Sequence, residues 1–296
     1  MNKKIGIILI IVGLIIAIIA VVFIGEKRST ENVKSDTTTK LKSETNEPKK
    51  EEKKEENNKE NSDKKEVKLV ENTVGVPVLY YHSIGDDGNG DELVTPTAKF
   101  KEQMKYLKDN GYNTLSMEEL YGYVKNGNKI PEKPIVITFD DGYKNNYINA
   151  YPVLKEYGFK GTIFVITSMV DKVQLYLTTE QIAELSKNNI DIASHTVNHE
   201  NLNATSKENT VKTLKESKEF LEKIINKKVE YIAYPFGNYD DATIKSLKEA
   251  GYKMAFTTEK GWSKGKTDEY KVKRVYVNGN SDMNVFKERL TNPNYN

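Results

Sequence analysis

Two short stretches of this chain carry residues whose types and spacing can do chemistry. The first is Ile135-Val136-Ile137-Thr138-Phe139-Asp140-Asp141-Gly142. Its apolar, β-branched start predicts a buried strand. A buried strand that runs into two adjacent carboxylates needs a reason, because like charges side by side repel and resist desolvation. A metal ion removes the conflict: one carboxylate becomes a ligand and the other stays beside it as a base. The second stretch is Ser194-His195-Thr196-Val197-Asn198-His199. The chain has three histidines, and two of them sit here. On one helical turn, residues four apart share a face, so the spacing predicts that both imidazoles reach one ion. Asp141, His195 and His199 then form a two-histidine, one-carboxylate set with open positions. That is the donor set of hydrolytic zinc, and also of some iron and cobalt sites. Each stretch alone has a plainer reading, as a turn or as a solvated helix face. Their joint occurrence, each after a strand-like run, favours the metal.

The elements around these stretches alternate. Strands are predicted over 76–81, 135–139, 162–166, 190–193, 230–234, 253–257 and 272–277, from short β-branched runs. Helices are predicted over 97–110, 116–125, 145–157, 178–187, 206–226, 241–250 and 282–290. Ser116-Met117-Glu118-Glu119 has the pattern of a capping box, Thr178 that of an N-cap, and Pro152 of a kink. Regular alternation implies a parallel sheet with helical cover. His82, the Asp140–Asp141 pair, His195 and Pro235-Phe236-Gly237 all fall at the ends of strands. A barrel of parallel strands brings such ends to one mouth, whereas an open sheet gathers only some of them. The fold expected is therefore an α/β barrel.

Composition bounds the rest. The formal net charge of +2 gives no argument for nucleic acid. The chain has no cysteine, which excludes disulfides, thiolate sites and a cysteine nucleophile. Lys3 and Lys4 precede an apolar run from Ile5 to Ile24. At about 1.5 Å per residue this run reaches roughly 30 Å, the thickness of a bilayer core. It ends in Val21-Val22-Phe23-Ile24 without a small-x-small cleavage pattern. Residues 1–24 are thus expected to be an uncleaved transmembrane signal anchor, with the rest of the chain outside the cell. Secretion after cleavage is the alternative. Residues 25–73 are rich in Lys, Glu, Asn, Ser and Thr and have no apolar face, so a disordered charged linker is expected. Some 50 flexible residues span on the order of 40 Å. Residues 74–296 are the expected catalytic domain, a monomer.

Thr138-Phe139-Asp140-Asp141-Gly142 and His195-Thr196-Val197-Asn198-His199 resemble the first two signature motifs of the polysaccharide deacetylases, the family 4 carbohydrate esterases with a NodB homology domain. Softer matches are Phe100-Lys101-Glu102-Gln103-Met104, Gly111-Tyr112 and Gly158-Phe159-Lys160-Gly161-Thr162-Ile163-Phe164-Val165, and the likeness extends over residues 76–290. The resemblance implies a distorted barrel of about seven strand–helix units. It implies that Asp141, His195 and His199 bind one divalent metal, usually zinc, with cobalt, nickel, manganese or iron as alternatives. Asp140 is then the general base. The reaction implied is hydrolysis of an amide, the acetamide of an N-acetylglucosamine unit in a polysaccharide, with a backbone N–H near Phe236 holding the oxyanion.

Two departures qualify the likeness. The family's third motif usually carries an arginine two positions before its proline; here that position is Ala233. Its late Leu-x-His motif usually supplies an acid, but no histidine follows His199. The remaining histidine, His82 in Leu79-Tyr80-Tyr81-His82-Ser83, resembles the early element of the poly-β-1,6-N-acetylglucosamine deacetylases of biofilm matrix. It is therefore assigned as general acid, and Arg274 as the substitute for the missing arginine. Tyr234, Pro235, Phe236, Gly237 and Trp262 are assigned to substrate binding, the aromatics as candidate sugar platforms, with core packing the expected role of at least one of them. The alternatives are peptidoglycan as substrate, or an inactive wall-binding relative.

Overall fold

The structure, a computed structural model, describes residues 68–295. The proposed span over 1–24 and nearly all of the linker lie outside the described residues. Among the described residues no helix is long and apolar enough to cross a membrane.

Seven parallel strands form the centre: β1 (Val78–Tyr81), β2 (Pro134–Phe139), β3 (Gly161–Val165), β4 (Ile190–Ser194), β5 (Tyr231–Ala233), β6 (Met254–Lys260) and β7 (Val272–Tyr276). They lie side by side in chain order, and β1 pairs with both β2 and β7, which closes the sheet. The barrel is uneven. β4 and β5 share a single register pair, Ile232 with Ser194, and the β6–β7 register slips between Phe256 and Lys260. The expected barrel is present, and these two seams are its distortion.

Strand alternation sorts side chains into two cores. Val78, Val136, Phe164, Ala193, Ala233, Phe256 and Val272 pack together inside the barrel. Leu79, Tyr81, Ile135, Ile137, Phe139, Ile163 and Val165 face outward and are covered by helices. The cover is α1 (Thr97–Asp109), α2 (Met117–Asn126), α3 (Tyr151–Tyr157), α4 (Thr179–Leu185), α5 (Lys207–Ile225), α6 (Asp241–Glu249) and α7 (Met283–Thr291). Because both faces of the strands are buried, they read as nearly continuous apolar runs.

Local chemistry sets the helix ends. Ser116 and Thr178 each close a capping box, with Glu119 and Gln181 respectively. Before α3 the chain makes a π-helical turn over Asn146–Ala150, and the Tyr151 N–H reaches back five residues to Asn146 O. Pro152 has no N–H and cannot serve an ordinary α-helical ladder. The helix expected over 145–157 is therefore a wide turn followed by a short α-helix.

One boundary differs from the sequence expectation. Leu69–Val70, inside the stretch assigned to the linker, pairs antiparallel with Ile130–Pro131. The Asn72 side chain then accepts the Val74 and Gly75 N–H groups and turns the chain toward β1. Two apolar residues beside a free strand edge suffice for this pairing, so ordered structure begins before Val74. For the capping boxes, Thr178→Ala is expected to lower stability by about 1 kcal/mol. Urea unfolding with an unchanged m-value checks this.

Candidate active site

The C-terminal ends of β1, β2, β4 and β7 meet at one mouth. In β2, Thr138 and Asp140 share the inward face, two residues apart. Arg274 on β7 faces inward from the other side. Its Nη1 donates to Asp140 Oδ1 at 2.7 Å and its Nη2 to Asp140 Oδ2 at 2.8 Å, a two-pronged pair. The Nε–H donates to Thr257 O at 2.8 Å, and Nη1 also reaches Thr138 Oγ1 at 3.4 Å. The guanidinium lies 4.2 Å from the Tyr80 ring centre and 5.7 Å from that of Phe164. Arg274 is fully buried. Burial alone would raise Asp140, but the charge of Arg274 and its paired hydrogen bonds outweigh it and hold the carboxyl at about 2. Ala233, where the family pattern has arginine, belongs to the same inner core. The small residue on β5 and the large cation on β7 are both buried.

Alternation would send Asp141 to the opposite face from Asp140. Instead Asp141 adopts φ 71° and Gly142 φ 83°, which ends the strand and brings the carboxylate over the mouth. A Cβ at Gly142 would press on Val165 at 3.3 Å, so glycine is required there on two counts. Asp141 Oδ1 lies 3.5 Å from His195 Nε2 and 3.7 Å from His199 Nε2. The three donor atoms fall within 4.8 Å of one another.

The donor set fits a divalent cation. His195 Nδ1–H donates to Ala233 O at 2.8 Å, which leaves the Nε2 lone pair directed at the site. Burial lowers His195 to about 4 and also lowers His199, so both imidazoles are neutral, as metal ligands must be. Burial, then the Asp140 charge, push Asp141 up to about 6. Three acceptors facing one another, one buried and two partly buried, repel when no proton lies between them, and a cation among them reverses that.

The two histidines do not share a helix, contrary to the sequence expectation. His195 follows the end of β4, residues 196–198 form a turn, and His199 comes after it. Thr196 and His199 have φ 66° and 58°. A non-helical loop brings both rings to Asp141, with ring centres 4.8 Å apart.

His82 follows the end of β1 on the same mouth, within electrostatic reach of Asp140 and Asp141. Its ring meets Tyr80 and Tyr276 edge-on at 5.9 and 6.5 Å. Its Nδ1 is buried without a hydrogen-bond partner.

The residues assigned to substrate binding separate into three groups. Phe236 is 61% exposed and stands edge-on to His199 at 4.5 Å, with φ 61°. Pro235 is buried beneath it, and a Cβ at Gly237 would strike Thr258 Oγ1 at 2.0 Å. Tyr234 is fully buried, donates to Tyr270 O at 3.0 Å and stacks on Tyr239. It packs the core and cannot be a sugar platform. Trp262 also leaves the site. After β6 the chain turns back along the barrel, Val76 bridges to Ser263, and Trp262 lines a cavity of about 470 Å³ with Pro77, Pro134 and Leu290. Pro77 and Pro134 mark the N-terminal rim, the end opposite the mouth.

Residues that sequence reasoning missed lie around these. Tyr143 packs on Tyr176, 5.0 Å between ring centres, close enough to Asp141 for the two groups to shift each other's titration. Its one sequence signal is its position directly after Asp140-Asp141-Gly142. The Ala233 carbonyl that orients His195 carries no signal at all, since it depends on the β4–β5 register.

Known proteins resemble this chain in sequence and fold. The polysaccharide deacetylase family profile matches residues 127–255. YxkH of Bacillus subtilis (strain 168), named for the polysaccharide deacetylases, is 37% identical over 216 residues, 73% of this chain and 76% of its own length. The poly-β-1,6-N-acetyl-D-glucosamine N-deacetylase of Staphylococcus aureus (strain MRSA252) is 28% identical, covering 64% of this chain and 70% of its own. The solved deacetylase PplD of Streptococcus pyogenes, in complex with acetate, superposes with a TM-score of 0.69 at 30% identity, over 74% of this chain and 99% of PplD. The chain belongs to the polysaccharide deacetylase family.

Proposed function

We propose that this protein is a metal-dependent N-deacetylase of an extracellular polysaccharide of the poly-N-acetylglucosamine type, hydrolysing acetamides to acetate and free amines. The observation that carries the chemistry is a carboxylate kept ionised by Arg274 beside an Asp/His/His donor set. The polymer is suggested by the staphylococcal relative, whose name gives that substrate. The apolar run at Ile5–Ile24 would hold the catalytic domain outside the membrane.

Asp141, His195 and His199 would hold the cation, with zinc the best match to the donors. A cation bound there supplies Lewis acidity toward water and toward the acetamide carbonyl. Asp140 accepts the proton of the attacking water, on lone pairs that Arg274 leaves free. A carboxyl held at about 2 is a weak base, so it needs a strongly acidified water. His82 donates a proton to the nitrogen that leaves, because an amine anion is a poor leaving group. Phe236, exposed over His199, offers a flat apolar face to the sugar ring.

Acetate release from poly-N-acetylglucosamine and from peptidoglycan, each with added zinc and with chelator, tests the reading. Chelator-sensitive release from the first polymer alone is expected. Preference for peptidoglycan would move the function to the cell wall, and release from neither would leave a binding module. His82→Ala should retain zinc and lose a hundred-fold or more on the amide, with a smaller loss on an activated ester. Equal losses on both substrates would remove the acid role.

Arg274→Met leaves a buried carboxylate unpaired and should cost about 3–5 kcal/mol near neutral pH. The sign follows from the depressed carboxyl. Asp140 contributes stability above its unfolded value of 3.8 and loses it as pH falls through about 2. In the variant Asp140 titrates higher, so the deficit should shrink between pH 7 and pH 4 in urea unfolding.

A further inference from the structure

The turn that carries His199 is built in an unusual way. Thr196 and His199 are both left-handed, a conformation that is costly for L-residues and most so for a β-branched one. Such backbones persist only where the surroundings over-determine them. Residues 196–200 belong to no strand or helix. Side chains take their N–H groups instead. Thr196 N–H donates to Ser194 Oγ at 3.1 Å, Val197 N–H to Thr213 Oγ1 at 3.1 Å, Asn198 N–H to Glu200 Oε2 at 3.0 Å, and Glu200 N–H to Thr196 Oγ1 at 3.2 Å.

Two of these acceptors meet each other. Thr213 Oγ1–H donates to Glu200 Oε1 at 2.8 Å, and Glu200 Oε1 also accepts Asn198 Nδ2 at 3.2 Å. Thr213 is 5% exposed and sits on α5, whose buried face packs beside β4. Its hydroxyl has both functions in use: it accepts from Val197 on one side and donates to Glu200 on the other. The turn is thereby fastened at both ends to a rigid helix. The α5 N-terminus is capped by Ser206, so the helix is fixed independently of the turn.

We infer that Glu200 and Thr213 form a clasp that holds His199 in its left-handed conformation and aims its Nε2 at Asp141. They are positioning residues, acting through the imidazole rather than on the substrate. The inference rests on the reading of His199 as a metal ligand. Glu200 carries a charge into a half-buried place, and its polar contacts lie within this turn or on Thr213. A carboxylate used only for solubility would have no need of them. Groups of this kind, one bond removed from a ligand, set metal affinity by restricting where the ligand can go.

The test is the zinc affinity of the full-length protein, measured by competition with a chromophoric chelator. Glu200→Ala and Thr213→Val should each weaken zinc about ten- to a hundred-fold. The double variant should be little worse than either, since both break one clasp. Thr213→Ser keeps the hydroxyl and should bind as the wild type does. The visible spectrum of the cobalt-loaded protein reports ligand geometry without turnover, and it should change in the first two variants and not in the third. Unchanged affinity in Glu200→Ala overturns the clasp. So does equal weakening in Thr213→Val and Thr213→Ser, which would assign the effect to packing. Should Glu200→Ala fail to fold, the Val and Ser variants decide the matter. A wild-type chain that binds no zinc overturns the clasp together with the metal reading, whereas zinc binding unaffected by any variant overturns the clasp alone.

Discussion

The structure depends on one buried ion pair. Neither Asp140 nor Arg274 could remain charged inside the barrel alone, because each would lose its hydration without compensation. Together they satisfy each other through two hydrogen bonds, and Thr257 O and Thr138 Oγ1 take further guanidinium donors. Tyr80 and Phe164 lie close to the cation and keep water away from it. The pair fixes the ends of β2 and β7 relative to each other, and those ends are part of the mouth. It also sets the field felt by its neighbours. Burial drives Asp141 upward, the ionised Asp140 beside it adds to the rise, and Asp141 becomes a group that gains from a cation nearby.

Four of the ten non-glycine residues with positive φ among the described residues, Asp141, Thr196, His199 and Phe236, lie at the mouth. In each case a regular continuation would carry the side chain elsewhere. Asp141 would leave along the opposite face of β2, and His199 would follow a helix. The rigid barrel beneath supports these conformations, consistent with strain gathering where chemistry is done.

Much of this was legible in the sequence. The β-branched runs located the seven strands, and capping patterns at Ser116 and Thr178 located helix starts. Strand ends that carried His82, Asp140, Asp141 and His195 predicted a common mouth, since parallel strands in a closed sheet share a direction. Arg274 was legible only through the family resemblance, as a cation at the start of the last strand that could stand in for the arginine absent at position 233. The failures have a common cause. A sequence period says which residues sit at a strand end, and it does not say where the chain turns next. Thus the His195–His199 spacing suggested a helix, although left-handed turns produce the same convergence. Tyr234 and Trp262 were candidate sugar platforms, yet one turns into the core and the other follows a returning chain to the far rim. Leu69–Val70 read as linker because two apolar residues are too few to show a period.

The central claim is that Asp141, His195 and His199 converge on one cation beside an ionised Asp140. The most direct test is an anomalous-difference map at the zinc edge from crystals of the zinc-loaded protein. The account predicts one peak at ligand distance from the Asp141 carboxylate and from Nε2 of both histidines, with Asp140 still paired to Arg274 and not bound to the metal. A peak elsewhere, no peak, or a metal that takes Asp140 away from Arg274 would contradict it.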